Sequence, residues 1–266
     1  MPRFAANLSM LYTELPFLER FGAAAHDGFE AVEFLFPYAF DAARIQAELK
    51  HHRLALVLHN LPAGDWEAGE RGIACHPGRE AEFRIGVARA IDYALALGVT
   101  QLNCLAGIRP ADVPAEVAHS TFVGNLRHAA DALHGHGLRL LIEPINSFDI
   151  SGFHLTHTAQ ALAVLDAVQV GNLFVQYDVY HAQRMEGELA ATLQRHLPRI
   201  AHVQVADNPG RHEPGTGEID YRFLFAHLDH IGYRGWVGCE YRPAAGTQAG
   251  LGWRQVLAPQ TMNPVA

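Results

Sequence analysis

Short apolar runs alternate along the chain with longer stretches whose apolar residues recur at helical spacing. The short runs predict strands at residues 3–7, 31–36, 55–60, 101–105, 139–143, 174–178, 202–205 and 237–240. The amphipathic stretches between them predict helices at 14–26, 41–51, 80–97, 119–134, 158–168, 188–196 and 221–231. Several strands are continuous apolar runs, the pattern of strands buried on both faces. Gly28, Gly98, Gly137, Gly171 and Gly232 stand at helix-to-strand junctions, where a left-handed residue closes a helix. Repeated β-then-α units in a chain of 266 residues predict an α/β fold, a single (β/α)8 TIM barrel spanning 1–266. A doubly wound open sheet is the alternative, and it would show fewer strands.

Four successive runs end on an oxygen-bearing side chain: LRLLIE at Glu143, LFVQYD at Asp178, IAHVQ at Gln204 and WVGCE at Glu240. They lie 35, 26 and 36 residues apart, about one βα unit each. In a closed barrel these ends converge at the C-terminal rim, where barrel active sites are built. Each residue alone reads as an ordinary strand-end group. Together, three carboxylates and an amide oxygen describe a site for a hard divalent cation, Mg²⁺ or Mn²⁺ rather than Zn²⁺.

Charge narrows the partners. The formal net charge is −8, and Lys50 is the one lysine. Scattered arginines on an acidic chain do not make a nucleic-acid surface. Cys75, Cys104 and Cys239 form no CxxC pair, so reduced thiols in a cytoplasmic protein are expected. The N-terminal MPRFAANLSM has no signal-peptide pattern, and no apolar stretch is long enough to span a membrane. The expected partner is a small molecule; a homo-oligomer is compatible with the sequence.

A first shell with three ionised carboxylates around one divalent ion is net negative, so an anionic substrate needs cationic help. Arg211, after the seventh strand, and Arg71, in the long segment after His59-Asn60, are placed to give it. That segment runs about twenty residues, and long loops in compact domains are usually functional. Trp66 lies in it and can cover a ligand. His59 ends the third strand and His181 follows Asp178 by three residues; both are expected to meet substrate oxygens. His202 shares the side of Gln204, deeper in the barrel. Glu143 and Glu240, across the cation, suit proton removal beside a polarised carbonyl and its return at the neighbouring carbon. That is aldose–ketose isomerisation; return to the same carbon would be epimerisation.

The stretches HNLPAGDWEAGERGIACHPGRE, LLIEPINSFDISGFHL, QYDVYHAQRMEGEL, ADNPGRHEPGTGEIDY and GWVGCEYRP resemble the hydroxypyruvate isomerase branch of the xylose-isomerase-like barrels, from Phe4 to about Trp253. The resemblance implies Glu143 and Glu240 as the acid/base pair, and Glu143, Asp178, Gln204 and Glu240 as ligands of a divalent metal. It implies conversion of hydroxypyruvate to 2-hydroxy-3-oxopropanoate (tartronate semialdehyde), a step of glyoxylate metabolism. A neighbouring branch acting on 2-oxo-tetronate is similar to the chain but carries an arginine near Phe148, so Phe148 points to the three-carbon acid. A metal-dependent nuclease on a similar barrel and a non-catalytic sugar-acid binder are the readings from other classes.

Overall fold

A computed structural model describes residues 2–257, which leaves the last nine residues of the expected domain outside the description. Strands β1 (Arg3–Asn7), β2 (Ala31–Glu33), β3 (Ala55–Asn60), β4 (Gln101–Cys104), β5 (Arg139–Ile142), β6 (Leu173–Asp178), β7 (Ile200–Val205) and β8 (Trp236–Cys239) close into a barrel in sequence order. All pairings are parallel, and β1 pairs with β8. The expected TIM barrel is therefore the observed fold.

Helices α1 (Arg20–His26), α2 (Ala42–His52), α3 (Glu80–Leu97), α4 (Ala115–His134), α5 (Thr158–Val168), α6 (Val179–Met185), α7 (Leu189–His196), α8 (Tyr221–His230) and α9 (Trp253–Val256) accompany the strands. On α3, Phe83, Val87, Ala90, Ile91, Ala94 and Leu97 are buried, the spacing of one helical face. Burying each large apolar side chain of this kind stabilises by about 1.5–3 kcal/mol. Asp41 and Asp220 cap α2 and α8 by accepting from backbone amides inside the first turn.

The differences from the expected boundaries are informative. β2 stops at Glu33, three residues early, and β5 and β8 stop one residue before Glu143 and Glu240. Those two glutamates thus stand just past their strands, on the rim. A 3-10 turn, Phe17–Glu19, precedes α1 where one longer helix was expected. α5 is closed by Gln169 at φ 59°, not by Gly171. The short α6 was not expected. Its start is created by Asp178, whose Oδ1 accepts from the Tyr180 amide at 2.8 Å.

The two strand faces divide the core. Ala6, Val32, Leu140, Ile142, Val203 and Val237 belong to the large cluster under the helices. Ala5, Ala31, Val57, Leu58 and Leu141 form a smaller cluster with Phe174 and Trp236 packed against it. Strand alternation puts Ala5, Ala31, Leu141 and Trp236 on the same side as Asn7, Glu33, Glu143 and Glu240. This cluster is the apolar floor beneath a polar rim.

Candidate active site

A cavity of about 560 Å³ opens at the C-terminal rim. Glu143, Glu240, Arg211, Arg71, His181 and Trp66 all line it. Residues 61–79, between β3 and α3, form one wall. The segment docks on the rim by a backbone-to-backbone approach of Gly72 (φ 111°) and Gly107 (φ 103°). A Cβ on either would meet the other's backbone inside 3 Å, so neither tolerates a side chain. The Arg71 guanidinium lies over the Trp66 ring at 4.1 Å and donates to the Trp66 and Glu70 carbonyls.

Register brings the expected oxygen donors together. Asp178 on β6 pairs with Gln204 on β7, and Gln204 with Gly238 on β8. Each side chain divides its two polar ends. Glu143 Oε2 accepts from Asn103 Nδ2 at 3.1 Å and Gln176 Nε2 at 2.9 Å, while Oε1 faces the His181 ring at 3.8 Å. Asp178 gives Oδ1 to the α6 amide and Oδ2 to the site. Glu240 Oε1 accepts from Arg211 Nη2 at 2.9 Å, and its buried Oε2 has no partner among the described residues. Gln204 Oε1 accepts from Gln176 Nε2 at 2.6 Å, and Gln204 Nε2 donates to Glu33 Oε1 at 2.7 Å.

Arg211 takes the centre of this acidic group. It also bonds Asp178 Oδ2 at 3.4 Å, and its guanidinium lies over the Tyr180 ring at 5.3 Å. Its backbone is in the left-handed region at φ 58°, after Gly210 at φ 98°, and its carbonyl accepts from the Arg242 amide at 2.8 Å. That conformation is uncommon for a non-glycine residue. Burial opposes its charge, but Glu240, Asp178 and Glu143 outweigh burial and raise its pKa.

The carboxylates are pushed toward their neutral forms. Burial raises Glu143 well above the carboxylate range, with Glu240 and Asp178 adding to it. Burial likewise raises Glu240 to about 8, against the lowering effect of Arg211. Asp178 is raised by burial too, although Arg211 and two backbone amides oppose it. Clustered carboxylates with unfilled lone pairs are a site that further positive charge would relieve.

His181 has a defined tautomer. Asn146 Oδ1 accepts from the Phe148 and Asp149 amides at 3.1 and 2.8 Å. Its Nδ2 therefore faces His181 Nδ1, at 2.6 Å, and must donate to it. Burial, with Arg211 and Arg184, holds the His181 pKa well below the usual value, so the ring is neutral. A neutral ring accepting at Nδ1 carries its proton on Nε2, which points to Asp178 Oδ2 at 3.5 Å. Glu143, Asp178 and His181 bring one donor atom each within 4.8 Å of one another, a group that can hold a metal ion. The Asn146 bond argues for the ring as an N–H donor there. That leaves the carboxylates of Glu143 and Asp178 as the oxygen donors of this group that suit a hard cation.

The family model of xylose isomerase-like TIM barrels matches residues 21–257. The chain belongs to this family. A hydroxypyruvate isomerase of Escherichia coli (strain K12) is 57% identical over 95% of this chain and 98% of its own. A 2-oxo-tetronate isomerase of Cupriavidus necator is 50% identical over 95% and 97%. A solved structure named as an AP endonuclease, family 2, from Brucella melitensis matches with a TM-score of 0.94. It is 48% identical, over 96% of this chain and 99% of that one.

Within this xylose isomerase-like barrel, not every expected residue reaches the cavity. His59 is fully buried and does not line it; its Nδ1 faces the Asn60 carbonyl at 3.1 Å and its Nε2 has no partner among the described residues. Burial lowers its pKa to about 4. Phe148 is 69% exposed and does not line the cavity either. Arg184, which does, lies 4.9 Å over its ring and pairs with Asp149 at 2.8 Å. Four further residues, Glu33, Asn103, Asn146 and Gln176, bond the side chains of the site. Glu33 was legible as the charge inside the apolar run VEFLF. The three amides gave no such signal.

Proposed function

We propose that the chain is a hydroxypyruvate isomerase, interconverting hydroxypyruvate and 2-hydroxy-3-oxopropanoate by proton transfer between two glutamates. The observation that carries the reading is the pair Glu143 and Glu240, buried in one cavity with a free oxygen each and a cationic group between the acidic side chains. The close relatives named as isomerases support it.

In the proposed reaction one glutamate carboxylate takes the proton from the hydroxyl-bearing C3. The C3–H electron pair forms the C2–C3 double bond of an enediolate. The other glutamate delivers a proton to C2; the C3 hydroxyl gives up its proton as its oxygen becomes the aldehyde, and the former C2 carbonyl oxygen takes up a proton to become the hydroxyl. A divalent ion, Mg²⁺ or Mn²⁺, held by Glu143, Asp178 and Glu240 with Gln204, would polarise the carbonyl and its neighbouring hydroxyl when bound. His181 Nε2–H donates to a substrate oxygen. Arg211 offsets the carboxylate of the substrate, and Arg71 holds the Trp66 wall and faces the same space. Leu35, Leu105 and Ile145 give the cavity an apolar part of its wall. The three cysteines are free and buried, which agrees with a cytoplasmic enzyme.

The cavity volume favours one second reading. About 560 Å³ exceeds the needs of a three-carbon acid, so 2-oxo-tetronate is the competing substrate. A substrate panel read as kcat/KM separates them: the proposal expects hydroxypyruvate to be preferred, and faster turnover of the four-carbon acid would replace the substrate while keeping the chemistry. The net charge of −8 and the single candidate metal group among the described residues do not favour a multi-metal nuclease.

A further inference from the structure

Below the cavity lies a carboxylate with no part in the proposed proton transfer. Glu33, the last residue of β2, is 0% exposed. It accepts from three neighbours: His202 Nε2 at 2.6 Å, Gln204 Nε2 at 2.7 Å and Asn7 Nδ2 at 3.0 Å. None of these three partners lines the cavity; Gln204 alone leads on toward it, through Gln176. The fold reserves space for it, because a Cβ on Gly238 would meet the Glu33 carboxylate inside 3 Å. A strand glycine that makes room for a buried charge is a specific arrangement, since the charge is costly to bury and the glycine weakens the strand.

From Glu33 the bonds run in one direction. An acceptor-only carboxylate compels Gln204 to turn its amide nitrogen toward β2, so the Gln204 oxygen faces the other way. That oxygen accepts from Gln176 Nε2, and the same Gln176 nitrogen donates to Glu143 Oε2. Glu143 is thereby left with Oε1 toward the cavity. Glu33 therefore decides which end of Gln204 meets Gln176, and through Gln176 how Glu143 is held.

We infer that Glu33 is a positioning residue of this site: it orients the Gln204 amide, and with it the Gln176–Glu143 chain, from the opposite side of the barrel. The inference rests on the site assigned under the proposed function, and it adds a residue that makes no contact with substrate or cation. Glutamine at this position has the same shape but turns one acceptor into a donor. Facing three donors, it would release Gln204 to rotate by half a turn and present nitrogen where oxygen stood.

The test is a double-mutant cycle of Glu33→Gln and Gln204→Ala, read on isomerase turnover and, separately, on Mn²⁺ affinity by titration calorimetry. In the otherwise native chain, Glu33→Gln is expected to lower kcat and weaken Mn²⁺ binding by about 10- to 100-fold, with KM changed far less. In the Gln204→Ala background the same substitution should cost less than about threefold, because the group through which it acts is gone. Equal losses in both backgrounds would overturn the inference, as would native values in Glu33→Gln. A purely structural role would give equal losses. Should Glu33→Gln fail to fold, Gly238→Ala displaces the carboxylate without removing it, and the same non-additivity with Gln204→Ala is expected. If the native protein turns over no hydroxypyruvate, the substrate reading fails, and the Mn²⁺ cycle still decides the role of Glu33.

Discussion

Strands β5–β8 lead to Glu143, Asp178, Gln204 and Glu240, whereas β1–β4 bring Asn7, Glu33, Asn60 and Asn103 to the same rim. The first set is mostly acidic; Glu143 and Glu240 line the cavity, while Asp178 and Gln204 stand behind them, bonded to Arg211 and Gln176. Most of the second set works behind it: Asn103 donates to Glu143, and Asn7 donates to the Glu33 that holds Gln204, while Asn60 lines the cavity. Both halves share one backbone pattern, so their difference lies in side chains alone. One half supplies groups that can carry charge and protons. The other supplies fixed hydrogen bonds that leave those groups no choice of orientation. A barrel closed in sequence order lets the halves face each other across a few ångströms although they are far apart along the chain.

Substitutions should therefore fall into two tiers. The largest effect is expected from Glu240→Gln and Glu143→Gln, each lowering kcat by about 10³-fold or more, since general acid–base steps are worth about 10²–10⁴. Steady-state turnover checks this, and a loss under tenfold for either would remove it from the proton path. Arg211→Met should lower kcat/KM by about 100-fold, mostly through KM, because it leaves Glu240 and Asp178 without their cationic partner.

On the other side of the rim, His59 gives a pH signature without chemistry. Its folded pKa of about 4 lies below the ordinary 6.5. The stability this neutral ring contributes is fully present above pH 6.5 and is lost as pH falls toward 4. Between pH 7 and 5 the loss is on the order of 2 kcal/mol. Urea unfolding at both pH values should show that loss in the native chain and a smaller one in His59→Gln. Asn103→Leu, which removes one hydrogen bond to Glu143 at constant shape, should lower kcat by about tenfold with KM nearly unchanged. Equal effects from Asn103→Leu and Glu143→Gln would erase the distinction between the halves.

The sequence made the charged groups legible and the orienting groups, Gln176 on β6 and Asn146 after β5 among them, nearly invisible. Glu143, Asp178, Gln204 and Glu240 stand out because oxygen-bearing side chains end apolar runs at βα spacing. Arg71 and Arg211 follow from loop position, and both line the cavity. For His59 the end of a strand does not say which way a ring turns; here it is buried beside Tyr38 and Phe34, outside the cavity lining. Gln176 and Asn103 lie within strands, where an amide is as often a backbone partner as part of a site. The role of Asn146 depends on two backbone amides that accept no other arrangement, and spacing does not encode that.

The central claim is proton transfer between adjacent carbons of a ketol acid. The direct measurement is NMR of hydroxypyruvate turnover in D₂O with Mg²⁺ or Mn²⁺ supplied. The account predicts 2-hydroxy-3-oxopropanoate carrying deuterium at C2, abolished in Glu240→Gln. Product with only protium at C2 would contradict delivery by a second glutamate whose proton comes from solvent between turnovers, and no product in the native enzyme would contradict the claim itself.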